Sequence, residues 1–293
     1  MIKKILITGC YGFIGSHLCN KFSFENNFDV IGIYGKKKKK RSELLDNTIK
    51  IKLNLFNYNK LETIIKKFKP DIFIHTSWIG VLKKYSNSEI QKKNSIIIDN
   101  ILKLKKLKII KHYLFFGSQI EYKRSLKKIT ERHKLESTTL YSSEKIKSYN
   151  KIKKKINYFT WLRLFDVFGN YDSKKWVIPK IISAVRDRKI FKIKQPDIYW
   201  DFLYIDELTE IIRLIVIKKV YGIYNLCSGK KIKLTSIAKI IDKTNSYITY
   251  NKNYKKNYNL IGDNTKISKK INYRIKSGYK KNLIYLYKNA QFL

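Results

Sequence analysis

The sequence is poor in the residues that build flexible linkers and disulfide frameworks. Among 293 residues there are three Pro and twelve Gly, which leaves little room for a flexible linker. The three cysteines, Cys10, Cys19 and Cys227, are odd in number and lack paired or metal-ligand spacing. This pattern argues against a disulfide framework, predicts no metal site and indicates a reducing compartment.

Long apolar runs are also missing. No stretch approaches the ~18 to 20 consecutive apolar residues that a membrane helix needs. The basic start of the chain imitates a signal peptide, but Thr8 and Gly9 end its apolar run far too early. We therefore expect a cytoplasmic protein without a membrane span.

Acidic residues are scarce, since 22 Asp and Glu face 64 Lys and Arg and give a formal net charge of +42. A disordered basic tail is excluded, because 44% of the residues are hydrophobic and 14% aromatic. Alanine occurs only at Ala184, Ala238 and Ala290, while Lys, Ile, Asn and Tyr are abundant, a pattern typical of an AT-rich genome. Codon drift and attraction of polyanions at low salt both remain open as explanations, and no specific nucleic-acid partner is predicted.

Short apolar runs alternate with longer segments of helical periodicity before residue 170, as in βαβ units. We predict strands at Lys3–Thr8, Asp29–Tyr34, Ile49–Leu53, Asp71–Thr76, His112–Phe116 and Tyr158–Leu164. The helices predicted between them are Ser16–Phe24, Leu61–Phe68, Ser88–Leu107 and Tyr141–Lys155. The predicted fold class is α/β, with a doubly wound parallel sheet of the Rossmann type.

The pattern becomes irregular after Gly169. The elements predicted there are a helix at Val177–Val185, a strand at Phe202–Ile205, a helix at Glu207–Ile217 and a strand near Tyr221–Leu226. We predict a Rossmann domain over residues 1–169. Residues 170–293 are predicted to form mainly a smaller C-terminal α+β domain, with a part at about 200–228 returning to the sheet.

The strongest local signal is the glycine-rich segment Thr8–Gly15, which directly follows a predicted strand and precedes a helix. Gly9 permits a tight turn, Gly12 lets the backbone approach a pyrophosphate, and Gly15 allows helix and strand to pack closely. The helix N-terminus offers free N–H groups to phosphates. The segment predicts a dinucleotide cofactor. Its predicted contacts are Gly9, Tyr11, Gly12, Phe13, Ile14 and Gly15.

The end of the second strand bears on the choice between NAD and NADP. Proteins that prefer NAD place an acid there, whereas this strand ends Tyr34-Gly35-Lys36. The lysine run from Lys36 to Arg41 would pair with a 2′-phosphate, so NADP is favoured, although NAD stays open and the run can equally be a solvated loop. Further predicted cofactor contacts are Tyr34, Lys36, Asn54, Leu55 and Thr76.

Tyr141 and Lys145 are one helical turn apart and so share one face of a predicted helix. A nearby ammonium stabilises a phenolate, which predicts a lowered tyrosine pKa and a proton relay to an alcohol or ketone. Ser118 leaves the fifth strand at its carboxyl end, where open α/β sheets bind ligands.

Glycine turn, strand-end serine and Tyr/Lys helix, in this order, resemble the extended short-chain dehydrogenase/reductase family of the NAD-dependent epimerase/dehydratase type. The resemblance covers nearly the whole chain, through the segments Lys69–His75, Leu162–Gly169, Asp201–Leu208, Tyr224–Gly229 and Asp263–Lys266. It implies an enzyme acting on a nucleotide-activated sugar, with NAD(P) in the first domain and substrate in the second.

The resemblance also implies roles for single residues. Tyr141 would be the general acid/base, Lys145 would hold the cofactor ribose, and Ser118 would hydrogen-bond the reacting oxygen. It further implies a homodimer formed through the Ser88–Leu107 and Tyr141–Lys155 helices. The predicted substrate contacts are Ser77, Gln119, Asp166, Trp176 and Trp200.

Departures from the family pattern narrow the reaction. The 4,6-dehydratases carry two acids directly after the serine, where this chain has Gln119 and Ile120, so dehydration is disfavoured. Trp200 replaces an arginine that grips the diphosphate in many relatives, and Asp166 replaces an asparagine. Either change can reflect core packing or a different substrate.

Three functions remain open. We favour a nucleotide-sugar 4-ketoreductase, of the kind represented by the CDP-abequose synthases. A 4-epimerase is the second candidate. A Rossmann-fold RNA-binding or scaffold protein with a vestigial site is the third, although Ser118, Tyr141 and Lys145 are all present.

Overall fold

The computed structural model describes residues 2–35, 44–251 and 258–292. Its strands, in chain order, are β1 Lys3–Thr8, β2 Phe28–Tyr34, β3 Ile49–Lys52, β4 Ile72–His75, β5 His112–Ser118, β6 Phe159–Leu164, β7 Asp166–Phe168, β8 Phe191–Ile193, β9 Tyr199–Trp200, β10 Phe202–Tyr204, β11 Gly222–Leu226, β12 Ile232–Lys233 and β13 Ile248–Tyr250. Its α-helices are α1 Phe13–Ser23, α2 Tyr58–Phe68, α3 Lys92–Lys103, α4 Leu140–Lys155, α5 Val177–Arg186, α6 Ile205–Ile217, α7 Leu234–Ile241, α8 Thr265–Ile271 and α9 Tyr279–Asn289.

The central element of the described chain is a seven-stranded sheet with the order β11-β6-β5-β4-β1-β2-β3. β1 pairs in parallel with β2 and with β4, and β4 pairs in parallel with β5. The order reverses direction after β1, as expected for a doubly wound Rossmann sheet. This confirms the predicted fold class. The strands predicted before residue 170 all form, and β11 from the later part of the chain extends the sheet beyond β6.

The central strands are apolar because both of their faces are covered. Ile5, Leu6 and Ile7 of β1 are fully buried, and every residue of β4 is buried. Such continuous apolar runs are typical of parallel strands sandwiched between helices. The edge strand β3 has the sequence Ile-Lys-Ile-Lys and is mostly exposed. The burial pattern therefore follows the position of each strand in the sheet.

Local signals set the helix ends. The Asn57 side chain accepts a hydrogen bond from the Lys60 N–H at the start of α2. Lys69 takes the left-handed conformation at the end of α2, and Pro70 prevents the helix from continuing. The predicted helix Ser88–Leu107 is interrupted, because 3-10 turns at Glu89–Gln91 and Leu104–Leu107 flank α3.

The chain divides into two compact units that are each discontinuous in sequence. The first comprises Met1–Lys123, Lys134–Arg163 and Ile212–Tyr224. The second comprises Arg124–His133, Leu164–Ile211 and Asn225–Leu293. The first unit therefore differs from the predicted domain over residues 1–169 in three ways. Its main part ends at Arg163, residues 124–133 belong to the second unit, and residues 212–224 belong to the first.

The second unit is built from short strand pairs and helices. β7 pairs in parallel with β10, β8 in parallel with β13, and β9 antiparallel with β12. Helices α5, α7 and α9 pack against one another through buried side chains such as Ile181, Ile237 and Leu283. Within the described residues, no helix is long and apolar enough to cross a membrane.

Candidate active site

The glycine-rich segment forms the turn between β1 and α1. Gly9 has a φ of +74°, and a Cβ there would lie 2.9 Å from the side-chain oxygens of Thr76 and Ser77. A Cβ on Gly15 would collide with the Gly9 carbonyl oxygen. The two glycines are therefore required by backbone conformation and by the close approach of helix to turn.

The N-terminus of α1 offers its backbone donors without a competing side chain. Gly12 occupies the N-cap position, and this residue has no side chain that could cap the first N–H groups of the helix. Unpaired N–H groups and the positive end of the helix dipole favour a phosphate. The residues present thus fit the pyrophosphate of a dinucleotide. Beside the turn, Tyr11 and Tyr34 meet edge to face, with ring centres 5.0 Å apart.

A surface pocket lies where β2 and β3 end. It has a volume of about 380 Å³ and is lined by Gly35, Lys52, Leu53, Asn54, Asn57 and Lys60. The Asn54 Oδ1 atom accepts a hydrogen bond from the Phe56 N–H, whereas the Leu55 side chain is buried in the core. Asn54 is thus placed to contact a ligand in this pocket, whereas the Leu55 side chain is not. The lysine run Lys36–Arg41 lies outside the described residues.

Polar groups connect the ends of β1 and β4. The Thr8 hydroxyl and His75 Nδ1 are 2.8 Å apart, and the Thr76 hydroxyl donates to the Thr8 carbonyl oxygen at 2.6 Å. The Ser77 N–H donates to the Thr8 hydroxyl at 3.4 Å. Burial, with a smaller contribution from Lys145, lowers the pKa of His75 to about 3. A neutral His75 therefore holds these two strand ends together.

Ser118 is the last residue of β5 and caps the 3-10 turn Gln119–Glu121. Its hydroxyl accepts from the Ile120 N–H, and its own N–H donates to Glu121 Oε1 at 2.7 Å. This capping box fixes the backbone of Ser118 at the carboxyl end of the strand. The predicted position of Ser118 at a strand end is where the structure places it.

Helix α4 brings Tyr141 and Lys145 to Ser118. The helix starts at a capping box in which the Thr139 hydroxyl accepts from the Ser142 N–H at 3.1 Å. The Tyr141 and Ser118 side chains are hydrogen-bonded. Lys145 Nζ donates to the Phe116 carbonyl oxygen at 2.7 Å and lies 5.7 Å from the Tyr141 ring centre. The three residues predicted to be catalytic therefore form one cluster in the first unit.

The charge states in this cluster differ from the sequence-based expectation. Burial raises the pKa of Tyr141, the negative charge of Glu121 raises it further, and the hydrogen bond with Ser118 acts in the opposite direction. Burial lowers the pKa of Lys145 to about 7, while Glu121 opposes that shift. The predicted lowering of the Tyr141 pKa is wrong for this structure, because desolvation penalises phenolate and ammonium alike.

Sequence analysis missed Glu121 and Trp78. The Glu121 carboxylate is fully buried and accepts hydrogen bonds from Ser118, Trp161 and Arg163. Trp78 follows β4, and Lys145 Nζ lies 3.4 Å from the centre of its ring. Glu121 had a local signal in its capping-box spacing from Ser118, but its ion pair with Arg163 depends on a long-range contact that spacing does not show. Trp78 had a signal of its own, because it comes three residues after His75, at the carboxyl end of a predicted strand where ligands bind.

The remaining predicted substrate residues are split between the units. Ser77 and Gln119 belong to the first unit, next to Thr8 and Ser118 respectively. Asp166, Trp176 and Trp200 belong to the second. There, Trp200 stacks on Phe202 with ring centres 5.9 Å apart, and Trp176 is exposed at the start of α5.

In the second unit, Asp201 joins three segments of the chain. Its carboxylate accepts hydrogen bonds from the Ser228 N–H and hydroxyl at 2.7 Å, from the Gly229 N–H and from the Gly262 N–H. Burial raises its pKa to about 6 against the effect of these donors. This carboxylate serves the structure of the unit. Among the described residues, no group of three or more His, Cys, Asp or Glu side chains forms a metal site.

The glycine turn and the uncapped N-terminus of α1 are typical of a dinucleotide-binding Rossmann domain, and the cluster of Ser118, Tyr141 and Lys145 lies in the same unit. The sequence matches the NAD dependent epimerase/dehydratase family over residues 5–227. The match covers most of the chain, and the protein therefore belongs to this family of extended short-chain dehydrogenase/reductase enzymes.

Individual relatives are distant. GDP-6-deoxy-D-talose 4-dehydrogenase of Aggregatibacter actinomycetemcomitans is 24% identical over 237 residues, which are 77% of this chain and 74% of the relative. The UDP-N-acetylglucosamine 4-epimerase of Methanobrevibacter ruminantium M1, solved with UDP-N-acetylmuramic acid, superimposes with a TM-score of 0.85 at 23% identity, covering 98% and 97% of the two chains. The dTDP-glucose 4,6-dehydratase of Bacillus anthracis, solved with NAD, gives 0.84 at 18% identity, with the same coverage. These structures share the fold.

Proposed function

We propose that the protein is a nucleotide-sugar 4-ketoreductase that uses NADPH. The observation that carries the proposal is the hydrogen bond between Ser118 and Tyr141 beside the buried ammonium of Lys145. Acid/base and polar groups positioned in this way suit the interconversion of a ketone and an alcohol. Membership of the family supports the choice of a nucleotide-activated sugar as substrate.

Reduction of a ketone requires a proton donor, and the Tyr141 phenol is that donor. Burial raises its pKa, so the phenol is protonated at neutral pH. When the substrate carbonyl carbon accepts a hydride, its oxygen takes the Tyr141 proton and Tyr141 becomes a phenolate. Lys145 stabilises that phenolate electrostatically, and the Ser118 hydroxyl orients the reacting oxygen by a hydrogen bond.

The cofactor, when bound, supplies the hydride. The N-terminus of α1 would hold its pyrophosphate, and Gly9, Gly12 and Gly15 leave the backbone open to it. Lys52 and Lys60 line the pocket at the end of β3, and their charges favour a 2′-phosphate there. This supports NADP over NAD.

A 4-epimerase is the second candidate, because solved structures with the same fold include UDP-sugar 4-epimerases. Gln119 and Ile120 argue against a dehydratase, since neither side chain can exchange the protons that elimination of water requires. We further propose that Asp166, Trp176 and Trp200 contribute substrate contacts. A homodimer through α3 and α4 belongs to the same proposal.

Cofactor turnover distinguishes the two candidates. A reductase must release oxidised cofactor in each cycle, whereas an epimerase keeps it bound. The experiment is mass spectrometry of protein purified without added cofactor, followed by NADPH oxidation assays with a panel of nucleotide-4-keto sugars. Empty or NADP-loaded protein that oxidises NADPH with a panel member supports the reductase. Tightly retained NAD, together with interconversion of 4-epimers without net oxidation, would refute the reductase and support the epimerase.

A further inference from the structure

Trp78 contributes an aromatic face to the immediate surroundings of Lys145. The residue lies in the loop after β4, and Lys145 Nζ is 3.4 Å from the centre of its ring. Lys145 itself is 4% exposed, and its Nζ atom also donates to the Phe116 carbonyl oxygen at 2.7 Å. A cation within about 6 Å of an aromatic ring face is attracted by the ring quadrupole, most strongly when water is excluded.

The orientation of the indole is fixed from behind. Trp78 Nε1 donates to Gln91 Oε1 at 2.9 Å. Gln91 is fully buried, and its Nε2 donates to the carbonyl oxygens of Gly80 at 2.7 Å and Tyr85 at 3.0 Å. An amide held by two backbone acceptors leaves its oxygen pointing at the indole N–H. The ring face toward Lys145 is therefore preorganised.

The same indole also touches the phenol. The Trp78 and Tyr141 rings meet at 74° with centres 5.9 Å apart, an edge-to-face contact. One side chain thus contacts both members of the Tyr/Lys pair. We propose that Trp78 is a positioning residue, whose indole face keeps the Lys145 ammonium charged and beside Tyr141. The consequence for catalysis rests on the proposed function, whereas the contact itself does not.

The charge of Lys145 is balanced closely enough for an aromatic face to matter. Burial lowers the pKa of Lys145 to about 7, close to physiological pH. The titratable groups linked to Lys145 are Tyr141 on its own helix, Glu121 after β5 and His75 on β4. The helix α4 and the elements packed against it also carry three ion pairs, Glu144–Lys147, Asp99–Lys151 and Glu89–Lys92. Glu121 is the acid among them that raises the lysine pKa.

Ring fluorination tests the proposal without changing the shape of the site. Tryptophans carrying one, two and three ring fluorines would be inserted at position 78 alone. Fluorine withdraws electron density from the ring face and weakens its attraction for a cation step by step. The readout is the titration of the Lys145 side chain in the ligand-free protein, by NMR of ¹³Cε-labelled lysine. Its resonance is displaced by the ring current of Trp78 and is assigned with a Lys145→Arg variant.

We expect the titration midpoint of Lys145 to fall with each fluorine, by about one pH unit over the series. The matched control is the same fluorine series at Trp200, whose ring stacks on Phe202 in the second unit. The control series is expected to leave the Lys145 midpoint unchanged. Equal midpoints in the Trp78 series, or equal shifts in the two series, would overturn the proposal.

A second measurement separates this inference from the proposed function. The dissociation constant of NADPH is measured by calorimetry between pH 6 and pH 9 for the same proteins. The dissociation constant is expected to rise with pH as Lys145 loses its proton. Each fluorine is expected to move the midpoint of that rise to lower pH, by the same amount as the midpoint measured by NMR. Absence of NADPH binding in all proteins, with the NMR shift present, refutes the cofactor proposal alone. If NADPH binds and the pH dependence of its dissociation constant is the same with and without fluorine at Trp78, the proposed role of Trp78 is refuted.

Discussion

Glu121 and Arg163 form an ion pair behind Ser118 that is shielded from solvent. Arg163 Nε lies 2.7 Å from Glu121 Oε2, and the two side chains are 2% and 0% exposed. The other carboxylate oxygen accepts the Ser118 N–H, and the arginine also donates to the Tyr122 hydroxyl at 3.1 Å. One carboxylate thereby neutralises a buried cation and fixes the backbone of a residue in the active-site cluster.

Removing the charge of Glu121 is expected to destabilise the protein strongly. A Glu121→Gln substitution leaves the Arg163 guanidinium buried without its counter-ion, and breaking such a pair typically costs about 3–5 kcal/mol. Urea unfolding followed by circular dichroism measures the change. The matched control is Glu89→Gln, because Glu89 pairs with Lys92 and both of these side chains are exposed. That change is expected to cost much less, because an ion pair between exposed side chains contributes little to the free energy of unfolding. Similar losses for the two variants would contradict the prediction.

Tyr141→Phe is expected to lower turnover by roughly 10²-fold or more, because it removes the transferable proton while the ring keeps its packing. The affinity for NADPH is expected to stay within about twofold of the original value, since the phenol acts on the substrate oxygen. Steady-state kinetics on a confirmed substrate and calorimetry provide the two measurements. Full turnover in this variant would show that the assignment of the proton donor is wrong.

Acid is expected to destabilise the protein through two buried histidines. Burial lowers the pKa of His75 to about 3 and that of His112 to about 4, both from 6.5. As the pH falls below about 6.5, the unfolded chain binds protons that the folded chain refuses. The free energy of unfolding therefore decreases, by roughly 1.4 kcal/mol per pH unit for each histidine. The stabilisation from the two neutral histidines is fully present above pH 6.5. It is lost as the pH falls from 6.5 to about 4 for His112 and to about 3 for His75.

The contribution of one histidine is isolated with a His112→Gln variant, in which the amide replaces the contact of His112 Nε2 with the Thr160 hydroxyl. Asp201 acts in the opposite direction, because its raised pKa lets the folded state bind a proton between pH 3.8 and about 6. Asp201 is present in both the unchanged protein and the His112→Gln variant, so its effect cancels when their free energies of unfolding are subtracted. Urea unfolding at several pH values between 4.5 and 6.5 is expected to give a slope smaller by about one proton in the variant. Equal slopes would contradict the prediction.

Cofactor preference is expected to depend on the lysines that follow the second strand and on those that line the pocket at the end of β3. NADPH is expected to bind at least tenfold more tightly than NADH, a difference of about 1.4 kcal/mol. Replacing Lys36 and Lys37, or Lys52 and Lys60, by Ala is expected to reduce the ratio. Tyr34→Asp is expected to shift it toward NADH, because a carboxylate accepts the 2′-hydroxyl and repels a 2′-phosphate. Calorimetry at physiological salt measures the ratio, and equal affinities in the unchanged protein would refute the preference.

Much of the first unit was predictable because its signals are local. The apolar runs of β1, β4 and β5 are buried on both faces, so their composition alone indicates central parallel strands. The glycines between β1 and α1 are required by conformation and close approach, which the sequence pattern expresses directly. Tyr141 and Lys145 share a helix face because of helical periodicity, and Ser118 lies at the end of a strand that composition identifies.

The tertiary structure decided what depends on residues far apart in the chain. Arg163 and Glu121 meet only because β6 lies beside β5 in the sheet, and the Glu121 carboxylate adds to the rise in the Tyr141 pKa that burial causes. Lys145 resembles any other lysine in the sequence, yet desolvation and the face of Trp78 distinguish it. Spacing along the chain fixes which side chains share an element. Only packing determines how much water they lose, and that loss sets their proton affinities.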